Sequence, residues 1–485
     1  MSNPLATDRA RPLDPALVES IAAEVLARLR GGAPSRSASS GGMGLFLDLD
    51  AAMEAAERAF RALQELPLET RRNLIEAMRQ VGRAEATTVA RLAVEETKLG
   101  RVEDKIQKNL LVAEKTPGLE ILEAWAVSGD HGLTLEELAP WGVIAAIAPC
   151  TNPTETILCN GIGMVAAGNA VVFGPHPLAQ KTSAHFVGAL NRAIVAAGGP
   201  ENLIVALLDP TIEKAQALMR HPKARLVVVT GGPDVVREAM KTGKRVIAAG
   251  PGNPPALVDE TADLEKAGRD IVRGASLDNN IICTDEKEVI AVASITDRLK
   301  AAMEAAGGVE LLGPQIERLA NTVLSSRALT SGDGREARVN KNWIGQDAAK
   351  ILDAIGARGS REPRLLFAEV EADHPFVWTE LLMPVIPVVR VKSFEAALDL
   401  AVAAEKGCRH TATMHSKDVT RLTQMARRID ASIFVKNGPA FSGLGMGGEG
   451  FTSFTIAGPT GEGMTTARSF CRRRRCTLVD AFRIV

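Results

Sequence analysis

The sequence predicts an α/β protein built on parallel sheets, and two observations carry that reading. From about residue 140 onward, short runs of branched apolar residues alternate with helical patterns, separated by turns rich in glycine and proline. Repeated strand–helix units of this kind imply parallel strands joined by right-handed crossovers, with ligands bound beyond the carboxyl ends of the strands. The second observation is length: 485 residues are too many for one core and suit two or three domains.

Composition narrows the class. Apolar and charged content are those of a globular protein, and the formal net charge is −1, so no general affinity for nucleic acid or membrane is expected. Tyrosine is absent, which argues against base stacking. Six cysteines at irregular spacing, without a Cys-x-x-Cys pair, fit neither a disulfide scaffold nor a zinc site; no metal is expected. No run of about 20 apolar residues suggests a membrane span, and the N-terminus lacks a secretory pattern, so a cytoplasmic location is expected.

The elements follow in order. Asp14-Pro15 reads as a helix start, Leu17, Val18, Ile21, Val25 and Leu29 recur at helical spacing, and Gly31-Gly32 stops the helix. A linker rich in serine and glycine follows over 33–42. So short a helix cannot bury its apolar stripe alone, so it docks on a partner, on its own subunit or on a second copy. Helices are expected over 51–63, 68–81, 85–99 and part of 105–119, with Pro67 and Gly100 as breaks. Strands are expected over 143–148, 170–173, 203–208 and 226–230, each followed by a helix, and a second α/β unit begins after 241. Its strands lie near 246–249, 256–258, 289–293, 364–369, 385–391, 411–414 and 432–435, with loops and small helices over 307–362.

Two stretches carry chemistry. In Ser276-Leu277-Asp278-Asn279-Asn280-Ile281-Ile282-Cys283, a helix end and a polar turn deliver a cysteine. A thiolate is the strongest side-chain nucleophile near neutral pH, and nearby amides can hold an oxyanion. Taken alone, a buried structural cysteine explains this stretch better. In Thr230-Gly231-Gly232-Pro233-Asp234, bare backbone and a helix N-terminus suit a pyrophosphate, or else a tight turn that needs glycine. There is no Gly-x-Gly-x-x-Gly fingerprint. Arg472-Arg473-Arg474-Arg475 precedes alternating strand residues and reads as a solvated or intersubunit strand rather than a nucleic-acid site.

With Pro149-Cys150-Thr151-Asn152-Pro153, Gly250-Pro251-Gly252-Asn253-Pro254-Pro255, the stretch ending at Cys283, Glu380, Ser432-Ile433-Phe434-Val435-Lys436-Asn437-Gly438-Pro439 and Gly447-Gly448-Glu449-Gly450-Phe451 in view, the chain resembles the aldehyde dehydrogenase superfamily over 45–485. Within it, the chain is most similar to the CoA-acylating enzymes of bacterial microcompartments that handle ethanolamine or 1,2-propanediol. The resemblance implies two Rossmann-like parallel-sheet domains plus a β-hairpin oligomerisation element. The boundaries expected are a targeting helix and linker over 1–44, a nucleotide-binding domain over 45–239 with oligomerisation strands in 124–140, a catalytic domain over 240–430, and a return with an oligomerisation tail over 431–485.

It also implies roles. Cys283 matches the nucleophile, and Asn152 or Thr151 the oxyanion side chain. Ala148, Pro149, Cys150, Thr151, Pro175, His176, Thr230, Gly231, Gly232 and Glu380 match cofactor positions; Glu380 would meet the nicotinamide ribose. His410 lines up with a histidine that would deprotonate CoA, or is a hydrogen-bonded structural residue. Hydrolytic members carry a glutamate base at about Ala248, and its absence favours CoA over water as acyl acceptor. NAD is the expected cofactor with NADP open, CoA the co-substrate, and propionaldehyde or acetaldehyde the substrate; a hydrolytic enzyme releasing free acid is the alternative. The same resemblance implies a homodimer or homotetramer, and encapsulation in a cytoplasmic microcompartment through contacts of residues 14–30 with shell or core proteins.

Overall fold

The computed structural model describes residues 43–326, 335–357 and 362–485, so the expected helix over 14–30 and its linker lie outside the described residues. Three helices lead in: Leu49–Gln64, Leu68–Thr97 and Val102–Lys115. Asp48 starts the first by accepting the Ala51 N–H at 2.7 Å. The second runs unbroken for 30 residues where two helices were expected. Gly82, in its middle, does not break it, because a Cβ there would sit 2.5 Å from the Leu158 side chain. That glycine serves close approach to the helix Pro153–Ala166 rather than a turn.

The first sheet has six parallel strands in the order Leu45–Phe46, Ile204–Leu207, Ala170–Gly174, Val143–Ile147, Ala224–Thr230 and Arg245–Ala249. Val143–Ile147 and Ala170–Gly174 are buried at every position, as expected of parallel strands covered on both faces. The chain winds outward from Val143–Ile147 in one direction, then crosses to Ala224–Thr230 on its other side. The topological switch therefore falls between these two strands, where a crevice opens at their carboxyl ends.

The second sheet has seven parallel strands in the order Gly308–Glu310, Leu365–Glu369, Val385–Val391, Glu288–Val292, Pro255–Val258, Thr411–His415 and Ile433–Lys436. Two expected boundaries shift by one strand each. Arg245–Ala249 pairs with Ala224–Thr230 and so belongs to the first sheet, although the division was expected at 239/240. Ile433–Lys436 pairs with Thr411–His415 and completes the second sheet, although the division was expected at 430/431. Sheet membership is decided by which strand offers its edge, and local pattern does not carry that.

A third, antiparallel sheet places Gly132–Pro140 between Trp125–Gly129 and Cys471–Val479. Arg475 faces Glu136 and Arg473 faces Leu138 across it. Among the described residues, no helix is long and apolar enough to cross a membrane.

Candidate active site

All but Glu380 of the positions expected to meet the cofactor lie at the carboxyl ends of strands of the first sheet. Ala148-Pro149-Cys150-Thr151 leaves the carboxyl end of Val143–Ile147, Pro175-His176 that of Ala170–Gly174, and Gly231-Gly232 that of Ala224–Thr230. The first and last of these turns flank the switch point. At Gly232 φ is −68°, and a Cβ built there meets nothing within 4 Å. Neither conformation nor internal packing asks for glycine, so the space it leaves lies outside the chain. The helix Pro233–Met240 begins there, with backbone N–H groups free to meet an anion. These residues fit a dinucleotide pyrophosphate. The Thr230 hydroxyl is occupied by Thr455, 2.8 Å away, and the Leu178 N–H donates to His176 Nδ1 at 3.1 Å.

Cys283 is delivered by an unusual turn. The helix Leu264–Ala275 starts on Asp263, which accepts the Lys266 N–H. After it, Asp278, Asn279 and Asn280 take φ of 46°, 56° and 62°. Asp and Asn visit the left-handed region more readily than other non-glycine residues, but three in succession cost on the order of 1 kcal/mol each and persist only when the surroundings hold them. Here every side chain is held. Asp278 Oδ1 accepts the Arg101 N–H at 2.6 Å, Asn279 Nδ2 donates to the Gly345 carbonyl at 2.9 Å, and Asn280 Nδ2 donates to the Ala275 and Glu286 carbonyls at 2.8 and 2.9 Å. Lys287 Nζ donates to Asn280 Oδ1, the Asn280 carbonyl and the Ile282 carbonyl at 2.6, 2.9 and 2.9 Å. Gly100 makes room for the turn, since a Cβ there would lie 2.0 Å from Asp278 Oδ1.

The loop after Arg245–Ala249 gathers the groups around the cysteine. A Cβ on Gly252 would lie 2.7 Å from the Cys283 carbonyl oxygen and 2.9 Å from His410 Cγ, so bare backbone passes between them. The Gly252 N–H donates to Glu380 Oε1 at 3.4 Å. Cys283, His410 and Glu380 therefore meet at one glycine. Cys283 is half-buried, and burial with the Glu380 carboxylate pushes its thiol up to about 12 against the opposing pull of Lys287. Burial also raises the Glu380 carboxyl. His410 is buried; burial and the Lys287 charge bring its imidazole down to about 3, so it is neutral at pH 7. His410 Nδ1 pairs with Thr411 Oγ1 at 2.9 Å, while its Nε2 has no partner among the described residues.

Some groups were not foreseen. Lys105 and Lys108, fully buried, converge on Asp278: Lys105 Nζ donates to Asp278 Oδ2 at 2.9 Å and to the Thr151 carbonyl at 2.8 Å. Their signal was two lysines three apart on the stripe that Val112 continues, a face that should be apolar. Asp285 and Glu288, just past Cys283, are buried carboxyls that burial raises well above the usual range. Ala248 and Ala249, at the end of the strand Arg245–Ala249, are both buried, and the Ala248 N–H donates to Thr460 Oγ1. Among the described residues, no group of three or more His, Cys, Asp or Glu could hold a metal ion.

With this geometry established, comparison with known proteins assigns the class. Residues 47–454 match the model of the aldehyde dehydrogenase family, and the chain belongs to that family. It is 53% identical over 444 residues to the acetylating acetaldehyde dehydrogenase EutE of Salmonella typhimurium, covering 91% of this chain and 94% of that one. A propionaldehyde dehydrogenase from the Clostridium phytofermentans fucose utilisation bacterial microcompartment has the same fold, with TM-score 0.88, 45% identity, and coverage of 91% of this chain and 100% of that one. A Rhodopseudomonas palustris propionaldehyde dehydrogenase, solved with bound CoA and an acylated cysteine, superposes with TM-score 0.86 at 47% identity over 90% of this chain and 98% of that one.

Proposed function

We propose that the chain converts a short aldehyde, propionaldehyde or acetaldehyde, to its CoA thioester through a thioester on Cys283. The observation that carries this is a half-buried cysteine packed against Gly252, in the loop that follows a strand end, Ile247-Ala248-Ala249, with no carboxylate to activate water. Identity to acylating relatives supports it.

Residue roles follow from the chemistry each group can do. The Cys283 thiol first loses its proton to solvent; the thiolate then adds to the aldehyde carbon, and the carbonyl oxygen becomes an alkoxide. The Cys283 backbone N–H and the Asn152 side-chain amide are the donors assigned to that oxyanion. Thr151, the other candidate, already gives its carbonyl to Lys105, while Asn152 is the buried side chain of the two. When bound at the sheet edge, NAD or NADP supplies the hydride acceptor. The Gly231-Gly232 turn would hold its pyrophosphate and Glu380 its nicotinamide ribose. Loss of hydride from the substrate carbon leaves an acyl thioester on Cys283, which resists water without a base but yields to a thiolate. His410 Nε2, unpartnered among the described residues, is the group assigned the CoA thiol proton; burial makes the imidazole a weak base in the free chain, so this role requires bound CoA to raise it. Attack by CoA sulfur then releases acyl-CoA and regenerates Cys283. The reverse reaction uses the same groups.

A cysteine-to-serine exchange tests this directly. Cys283→Ser should lower CoA-dependent NAD reduction with propanal or acetaldehyde by at least about a thousandfold; retained turnover would exclude the covalent route. Partners follow the same family: assembly of identical subunits through the third sheet, and entry into a microcompartment through residues 14–30.

A further inference from the structure

Lys108 is buried on the helix Val102–Lys115, away from every role assigned above. Its Nζ donates to Asn152 Oδ1 and to Asp278 Oδ2, both at 2.5 Å, and lies 3.3 Å from Glu155 Oε1. An ammonium donates and never accepts. The end of the Asn152 amide facing Lys108 must therefore be oxygen, and the NH2 end is turned away. Asn152 Nδ2 has one long contact, to Thr151 Oγ1 at 3.3 Å, which leaves a second N–H for a ligand. The other partner, Asp278, begins the left-handed turn that delivers Cys283. One buried cation thus joins the loop bearing the oxyanion amide to the turn bearing the nucleophile.

We propose that Lys108 is a positioning residue of the acyl-transfer site: it fixes the orientation of the Asn152 amide and the spacing between that amide and Cys283. The proposal rests on the roles given to Asn152 and Cys283 under the function above. The charge it needs is secure. Burial lowers the pKa of Lys108, but the carboxylates of Asp278 and Glu155 outweigh burial and hold it above the ordinary lysine value. Lys105 shares Asp278 with it, is lowered by burial, and reaches the Thr151 backbone instead of a side chain. A lysine needed only to neutralise Asp278 would not have to reach Asn152 as well.

A double-mutant cycle separates positioning from support. In the full-length enzyme, Asn152→Ala should lower kcat for CoA-dependent aldehyde oxidation by about 10²–10³-fold, the usual loss for one oxyanion donor. Lys108→Met should lower kcat by roughly tenfold to a hundredfold with little change in the aldehyde KM. The double variant should fall no more than about threefold below Asn152→Ala, because the lysine then has nothing left to orient. Alkylation of Cys283 by iodoacetamide forms no oxyanion, and its rate should stay within about threefold in all variants. Losses that multiply, or alkylation that falls in step with kcat, would overturn the positioning role. If Lys108→Met does not fold, Lys108→Arg replaces it in the same cycle, since it keeps the charge but cannot put one N–H at the same point. Acyl-CoA formation by the unaltered chain is measured first. Its absence would remove the proposed function and this role together, whereas multiplying losses in an active enzyme would remove the role alone.

Discussion

At the scale of single residues, Cys283 shows how far its local string can be read. The string Asp-Asn-Asn-Ile-Ile-Cys marks a turn and a thiol, and only the resemblance of the motifs around it assigns that thiol the proposed role of nucleophile. It does not say that the resting thiol is protonated. Burial and Glu380 push it up to about 12, so at pH 7 to 10 thiolate is a minor species whose fraction grows tenfold per pH unit. Iodoacetamide alkylation of the free enzyme should climb by that factor across this range without a plateau. Glu380→Gln removes the negative charge, lowers the thiol pKa and should speed alkylation severalfold at pH 8, even as NAD-dependent turnover falls. A plateau below pH 9 in the unaltered enzyme, or slower alkylation in the variant, would contradict the electrostatics. Lys108 was illegible for a different reason: it lies 170 residues from Asp278, and only folding brings the two together.

At the scale of elements, helices and buried strands were read from periodicity with small shifts at their ends, because apolar spacing is a local property. The long helix Leu68–Thr97 and the strand Arg245–Ala249 were misjudged because their context is remote: Leu158 against Gly82 in one, the free edge of Ala224–Thr230 in the other. The end of that strand bears on chemistry. A glutamate at Ala248 would supply the base whose absence favours CoA over water, so Ala248→Glu should raise free acid relative to acyl-CoA by at least about tenfold, as a general base beside a thioester would. If the variant folds and product analysis shows an unchanged ratio, the absence of a base there is not what steers the acyl group.

At the scale of the whole molecule, the third sheet poses a problem that a single chain does not solve. Cys471–Val479 pairs with Gly132–Pro140 on one side, and its other edge has no strand beside it among the described residues. Trp125, Val127, Leu478 and Val479 are each about half exposed or more on this sheet and its tail, at 52%, 51%, 47% and 64%. A long open edge with apolar side chains invites another chain. The arginine run is partly neutralised within the sheet: Arg473 and Arg475 lie 3.4 and 3.0 Å from Glu136, an arrangement suited to a strand between subunits rather than to a polyanion. Two truncations separate assembly from encapsulation. Removing 471–485 should shift the enzyme to a smaller species by light scattering, and should lower its solubility and turnover. If residues 1–42 serve only the targeting proposed for them, removing them should leave the number of subunits and the turnover unchanged while abolishing co-purification with microcompartment shells. An unchanged subunit number after the first truncation would move the subunit interface elsewhere. A loss of turnover after the second would mean that the N-terminal segment supports the active site rather than only addressing the enzyme.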